Sequence, residues 1–163
     1  MVFAAVVLGR AAVRDGKNVL QTQAYGAEAR GSLTKSEVII SEDKIGFPAV
    51  RKSDILVTMS QEATEALIND LRETGTLMVD STSVKATPPT RAVVLRFPAT
   101  DTAKRIFGDG LYANMIMLGA LLHEFGLVSA ESVEGAIRES TSKKNIETNL
   151  NAFREGLRLR PDH

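Results

Sequence analysis

The hydrophobic pattern along the chain changes period several times, and each change marks an element. Residues 2–14 are small or branched and apolar, with no charge before Arg10, and Asp15-Gly16 follows. An apolar run of that length closed by a glycine predicts a buried helix. Residues 18–24 and 35–41 read as strands joined by the connector 25–32, a pair free to run antiparallel. Residues 54–59 carry a continuous apolar core and predict a buried strand. Ser60 then stands at an N-cap position with Glu62 in the first turn behind it. Ala63, Ala66, Leu67 and Leu71 give that helix an inner face, and Gly75 ends it.

Residues 76–80 predict another short buried strand, 81–91 a surface loop rich in Ser, Thr and Pro, and 92–97 the last strand. Pro98 breaks that strand, and a helix is expected from Thr100-Asp101 to Gly108. Residues 111–125 form a helix that is apolar nearly all round. Leu111, Met115, Leu118, Leu122 and Phe125 make one stripe, and Ile116, Met117 and Leu121 lie off it. Such a helix is covered on two sides, and in a chain this small a second subunit is one expected cover. Residues 129–139 and 145–156 read as amphipathic helices. Strands alternating with helices, with short apolar central strands, predict an α/β fold: a mixed, mostly parallel sheet in a three-layer sandwich with C-terminal helices.

Composition narrows the function. The chain has 163 residues, 20 basic and 20 acidic, and no cysteine. Zero net charge argues against nucleic acid or an anionic membrane as partner. Without cysteine the chain can form no disulfide and supply no thiolate to zinc or to an iron–sulfur cluster. No apolar run is long enough to span a bilayer, and no basic region precedes the first apolar stretch, so a cytoplasmic location is expected.

Candidate chemistry is sparse. His123 sits beside Glu124 and reads as a helix-surface residue; the other histidine is His163. No G-x-S-x-G elbow, phosphate-binding glycine loop or complete G-x-G-x-x-G is present. The connector holds the most informative residues: Gly26 and Gly31 permit close backbone approach, Tyr25 carries a polar-tipped ring, and Arg30 a planar fork for phosphate or carboxylate. Ser60, Glu62 and the loop from Asp80 to Pro89 follow strand carboxyl ends, where open α/β sheets place ligands. Asn114 is polar within an apolar turn; satisfaction inside its own fold is the favoured reading. The plain alternatives are a solvated loop for the connector and capping for Ser60.

The segments VLQTQAYGAEARGSLTKSEVIIS, DILVTMSQEA, GTLMVDS, ANMIMLGALL and NLNAFREG occur in order along the chain. Together they resemble the gamma subunit of 2-oxoacid:acceptor (ferredoxin) oxidoreductases, the group of the pyruvate, 2-ketoisovalerate and 2-oxoglutarate enzymes. The resemblance implies a Rossmann-like domain inside a larger complex that oxidatively decarboxylates a 2-oxoacid to an acyl-coenzyme A and passes electrons to ferredoxin. It implies alpha and beta partners, with a delta chain in some complexes, and thiamine diphosphate, iron–sulfur clusters and coenzyme A held by the complex, with no cofactor on this chain. Tyr25, Gly26, Glu28, Arg30, Gly31, Ser60, Gln61 and Asn114 are the positions carried over, as subunit-interface or coenzyme-A-proximal residues and not as acid–base catalysts.

Two departures stand out. Family members usually open with a strand and a G-x-G-G-Q-G turn before the helix that here is VFAAVVLGRAAV. The expectation is therefore one gamma-type domain over residues 1–163 lacking that strand and turn. The family connector often ends A-R-G-G, and here Ser32 takes the last place. A stand-alone Rossmann-type nucleotide-binding oxidoreductase is the alternative from another class, and it would want an acidic residue where the strand ends in Gln23-Ala24. Self-association through the apolar helix is a third expectation for the isolated chain.

Overall fold

The computed structural model describes residues 1–25 and 33–162, with Tyr25 described by its backbone alone. Helix α1 (Val2–Arg14) opens the fold and buries Ala4, Val7, Leu8, Ala11 and Ala12. It stops where Gly16 takes a φ of +78°, a left-handed conformation that suits a residue without a Cβ. Strands β1 (Asn18–Tyr25) and β2 (Thr34–Ser41) follow as an antiparallel pair in register from Asn18–Ser41 to Tyr25–Thr34. This pair is bonded to itself as a separate two-stranded ribbon, and α1 packs across both strands.

The central sheet is parallel, in the order β3 (Ser53–Thr58), β4 (Leu71–Asp80), β5 (Val93–Phe97). Its two faces are both covered, as parallel sheets require. Met78 and Phe97 join the main core with α1 and the helices below, whereas Leu77 and Val79 turn to the opposite face and pack with Val84 and Ala92. The crossover from β3 to β4 contains the short helix α2 (Gln61–Leu67), and residues 81–92 connect β4 to β5.

The segment after Ser60 differs from the sequence expectation. Helix α2 ends at Leu67, and Leu71 and Gly75 belong to β4. Thr64 is its buried residue and Ala66 is exposed. The cause is a register shift: Ser53 pairs with Leu71, yet Ile55 pairs with Thr76. At that irregularity a Cβ on Gly75 would lie 2.8 Å from the Asp54 carbonyl oxygen. The glycine thus marks a close backbone approach inside a strand, a signal that resembles a helix stop in one dimension.

Four helices complete the fold: α3 (Ala99–Phe107), α4 (Ala113–Phe125), α5 (Ala130–Ser140) and α6 (Ile146–Arg158). The all-round apolar α4 is covered by its own chain. It packs against α6, α3 and α1, and residues 115–120 are buried without exception. The expected second-subunit cover is therefore not needed to explain its composition. Leu111 lies outside the buried stripe, in a 3-10 turn (Gly110–Tyr112), and is 76% exposed.

The contact of α4 with α6 is a glycine crossing. A Cβ on Gly119 would meet the Phe153 carbonyl oxygen at 2.2 Å, and one on Gly156 would meet the Ile116 carbonyl oxygen at 2.0 Å. The two backbones touch because neither position has a side chain. Asp15 clips α1 to the start of α5, accepting from the Ser129 N–H and from the Ser129 and Ser132 hydroxyls.

Candidate functional site

A cavity of about 1200 Å³ separates the ribbon from the parallel sheet. One wall is β2, with Val38 and Ile40; the facing wall is β3, with Ile55 and Val57. Its floor comes from α1 and α4, through Ala4, Leu8, Met117 and Leu121. Met1 also lines it, and burial lowers the pKa of the terminal amine by disfavouring its charged form.

The two ends of the cavity differ in chemistry. At the amino end of the parallel sheet, Lys35 Nζ contacts Glu37 at 2.7 Å and Asp70 at 3.0 Å. The Glu37 hydrogen bond, together with Asp70, outweighs desolvation and raises the Lys35 pKa. Arg72 pairs with Asp54 beside this cluster. Because Lys35 lies at the start of β2 and Asp70 just before β4, the ribbon's Tyr25–Thr34 end sits at the amino end of the sheet.

At the carboxyl end, Ser60 is an N-cap. Its Oγ accepts from the Ala63 N–H at 3.2 Å, in extended backbone geometry. Buried Thr58 and Thr64 share a hydroxyl hydrogen bond of 2.7 Å that docks α2 on the tip of β3. Gln61 Oε1 accepts from the Lys85 and Ala86 N–H groups, and its Nε2 donates to the Ala86 carbonyl and Glu65. The side chain is a clamp on the 81–92 loop. Asp80, fully buried at the end of β4, accepts from the Thr82 N–H, Ser83 Oγ, Thr100 N–H and Thr100 Oγ1. These bonds and the start of α3 satisfy a carboxylate that has left water.

The candidate residues therefore fall into separate places. Gly26, Glu28, Arg30 and Gly31 lie outside the described residues, and the connector's roots, Tyr25 and Leu33, are at the amino end. Ser60 and Gln61 are at the carboxyl end. Asn114 is elsewhere, in the first turn of α4, where its Oδ1 accepts from the Met115 N–H at 2.8 Å, so its carbonyl is used inside its own fold. His123 is exposed on α4. The sequence reading passed over the Lys35–Glu37–Asp70 cluster. Alternation along β2 put Lys35 and Glu37 on one face, but nothing local shows that Asp70 reaches them.

Comparison with known proteins gives this geometry its family. Residues 1–159 match the family model described as pyruvate ferredoxin/flavodoxin oxidoreductase. The 2-oxoglutarate synthase subunit KorC of Methanocaldococcus jannaschii is 43% identical over 98% of this chain and 87% of its own length. The pyruvate synthase subunit PorC of Thermotoga maritima is 29% identical over 95% of this chain and 83% of its own. Among solved structures, the keto/oxoacid ferredoxin oxidoreductase gamma subunit from Geobacter sulfurreducens PCA superposes with a TM-score of 0.85. It is 37% identical, across 96% of this chain and 89% of that one. The chain belongs to the pyruvate ferredoxin/flavodoxin oxidoreductase family, among the gamma-type subunits of 2-oxoacid:ferredoxin oxidoreductases.

Proposed function

We propose that this chain is the structural and coenzyme-A-side subunit of a complex that oxidatively decarboxylates a 2-oxoacid to its acyl-coenzyme A, with ferredoxin as electron acceptor. The observation that carries this reading is the match along nearly the whole chain to KorC, a 2-oxoglutarate synthase subunit. The identities rank 2-oxoglutarate as the first substrate to test, with 2-ketoisovalerate and pyruvate after it. Alpha and beta subunits supply the thiamine diphosphate site and the clusters. This chain has no cysteine and so offers no thiolate to an iron–sulfur cluster. The site is cytoplasmic in this reading; no described helix is long and apolar enough to cross a membrane.

The cavity supports the reading of a Rossmann-like domain. Among the described residues β2 and β3 are each paired on one side only, and their other edges line the same apolar slot. An extended strand seated there would bond to both edges and join the two sheets into one Rossmann-like layer.

Affinity purification of the tagged chain from its native cells tests the assignment. The expected result is co-purification of the catalytic subunits with coenzyme-A-dependent reduction of ferredoxin by 2-oxoglutarate. Recovery of this chain without catalytic partners would overturn it.

A further inference from the structure

Leu111 is the most exposed large hydrophobic side chain among the described residues, at 76%, and Ile106 of α3 is 41% exposed. A lone exposed leucine is ordinary. This one is held out by its backbone. Gly108, with a φ of +74°, ends α3, and the Asp109 carboxylate then accepts from the Leu111 N–H at 2.9 Å. Phe107 and Tyr112 brace the turn, their rings tilted at 57° with centroids 5.6 Å apart. Buried α4 follows at once. A side chain presented on a fixed turn loses little conformational freedom when a partner covers it.

Leu111 also borders a recess. Phe3 of α1 and Tyr112, both half-buried, share with it the lining of a cleft of about 300 Å³ whose remaining walls come from α4, α6 and the end of α5. No charged side chain lines it. Ser140 and Asn149 are already used, one by Arg10 and the other by the Asn145 carbonyl. Asn114 keeps its amide NH2 after its Oδ1 is taken, and neither Ser142 nor Asn145 makes a side-chain cap bond. Amides and hydroxyls both donate and accept, and so match the N–H and C=O groups of a peptide. A phosphate or carboxylate would meet no compensating cation in this lining. The volume is at the bottom of the range of about 300–1,000 Å³ for small-molecule sites, and the lining is largely polar where those are mainly apolar. An apolar anchor beside uncharged polar groups is instead the anatomy of a protein interface.

We propose that Leu111 and this recess dock a peptide segment of a catalytic subunit. The segment places an apolar side chain against Leu111, Phe3 and Tyr112, and its backbone groups against Asn114, Ser142 and Asn145. The inference rests on the reading of this chain as a subunit of a complex, and it adds where the complex grips it. None of these six residues lines the large cavity, so the contact lies apart from it.

The experiment purifies tagged wild-type, Leu111→Asn and Val13→Asn chains from the native cells and measures the catalytic subunits recovered per chain. Leu111→Asn keeps the size of the side chain and removes its apolarity. Val13, 62% exposed on α1 and outside the recess, controls for the loss of any exposed apolar group. The expected recovery for Leu111→Asn is roughly a tenth of wild type or less, the loss typical of a hot-spot residue. Val13→Asn should recover as much as wild type, and both isolated variants should melt with wild type. Hydrogen exchange on the wild-type complex checks the site without a substitution, and it decides where Leu111→Asn melts lower: the amides of residues 109–112 and 142–145 should exchange more slowly than in the isolated chain. Equal recovery by a stable Leu111→Asn and wild type, an equal loss in Val13→Asn, or unchanged exchange at both segments would overturn the proposal. A wild-type chain that brings down no catalytic subunit overturns the assignment and this surface with it, an outcome distinct from equal recovery by wild type and variant.

Discussion

Asp15 shows how much a single residue can do at the join between two helices. Its hydrogen bond with Ser132, then those with Ser129, hold its carboxyl below the usual value of 3.8. A carboxylate with a lowered folded-state pKa stabilises the fold above 3.8, and the contribution disappears as pH falls through the folded value. Acid titration of stability by circular dichroism should therefore show wild type losing stability below pH 3.8 more steeply than Asp15→Asn, the two curves converging at the acid end. A variant curve parallel to wild type would deny the clip. Gln61 acts at the same scale. Truncation to Ala leaves the Lys85 and Ala86 N–H groups without their acceptor, at a cost of about 1–2 kcal/mol and with faster amide exchange at those two positions. Ser60 was legible in the sequence as a cap because its role is local. The role of Gln61 was not, since its partners are 24 and 25 residues away.

Among elements, the α4–α6 crossing is the most restrictive contact. A methyl group at Gly119 or Gly156 has to displace backbone, which cannot be repacked as a side chain can. Gly156→Ala and Gly119→Ala are each expected to cost about 3 kcal/mol, a fall in melting temperature of roughly 6–12 °C, read by thermal denaturation; a shift under 2 °C would contradict the crossing. The strong apolarity of α4 was plain from its residues, but not what covers it. That depended on α6 folding back onto it with glycine facing backbone, a match between positions some 40 residues apart in sequence. The α2–β4 boundary was misread for the complementary reason. Leu71 continues the helical spacing of Leu67, and only pairing with Ser53 shows that the strand has already begun.

At the scale of the molecule, the ribbon and the parallel sheet face each other across a cavity, and the residues that flank the connector, Tyr25 and Leu33, lie at the amino end of that arrangement. The connector carries Arg30, and we expect Arg30→Ala in the reconstituted complex to lower coenzyme-A-dependent turnover or assembly while leaving the isolated fold unchanged. Unaltered kinetics together with unaltered complex mass would refute a contact role. Gamma subunits in this family work with other chains, so the consequence of such a change appears in the complex and not in the stability of the single chain.

The residues alone determined the α/β class, nearly every strand and helix and, through the order of the motifs, the family. Those properties depend on periodicity and on neighbours close in sequence, which a linear pattern records. Tertiary structure alone decided that the described candidates, Tyr25, Ser60 with Gln61, and Asn114, lie in three places and that Asp80 is satisfied inside the fold. It also decided that the Oγ1 atom of Thr141, a residue with no distinguishing neighbours in the sequence, is shut off from solvent without a partner among the described residues. Each of these depends on groups from distant segments meeting, and a one-dimensional pattern holds no term for that meeting.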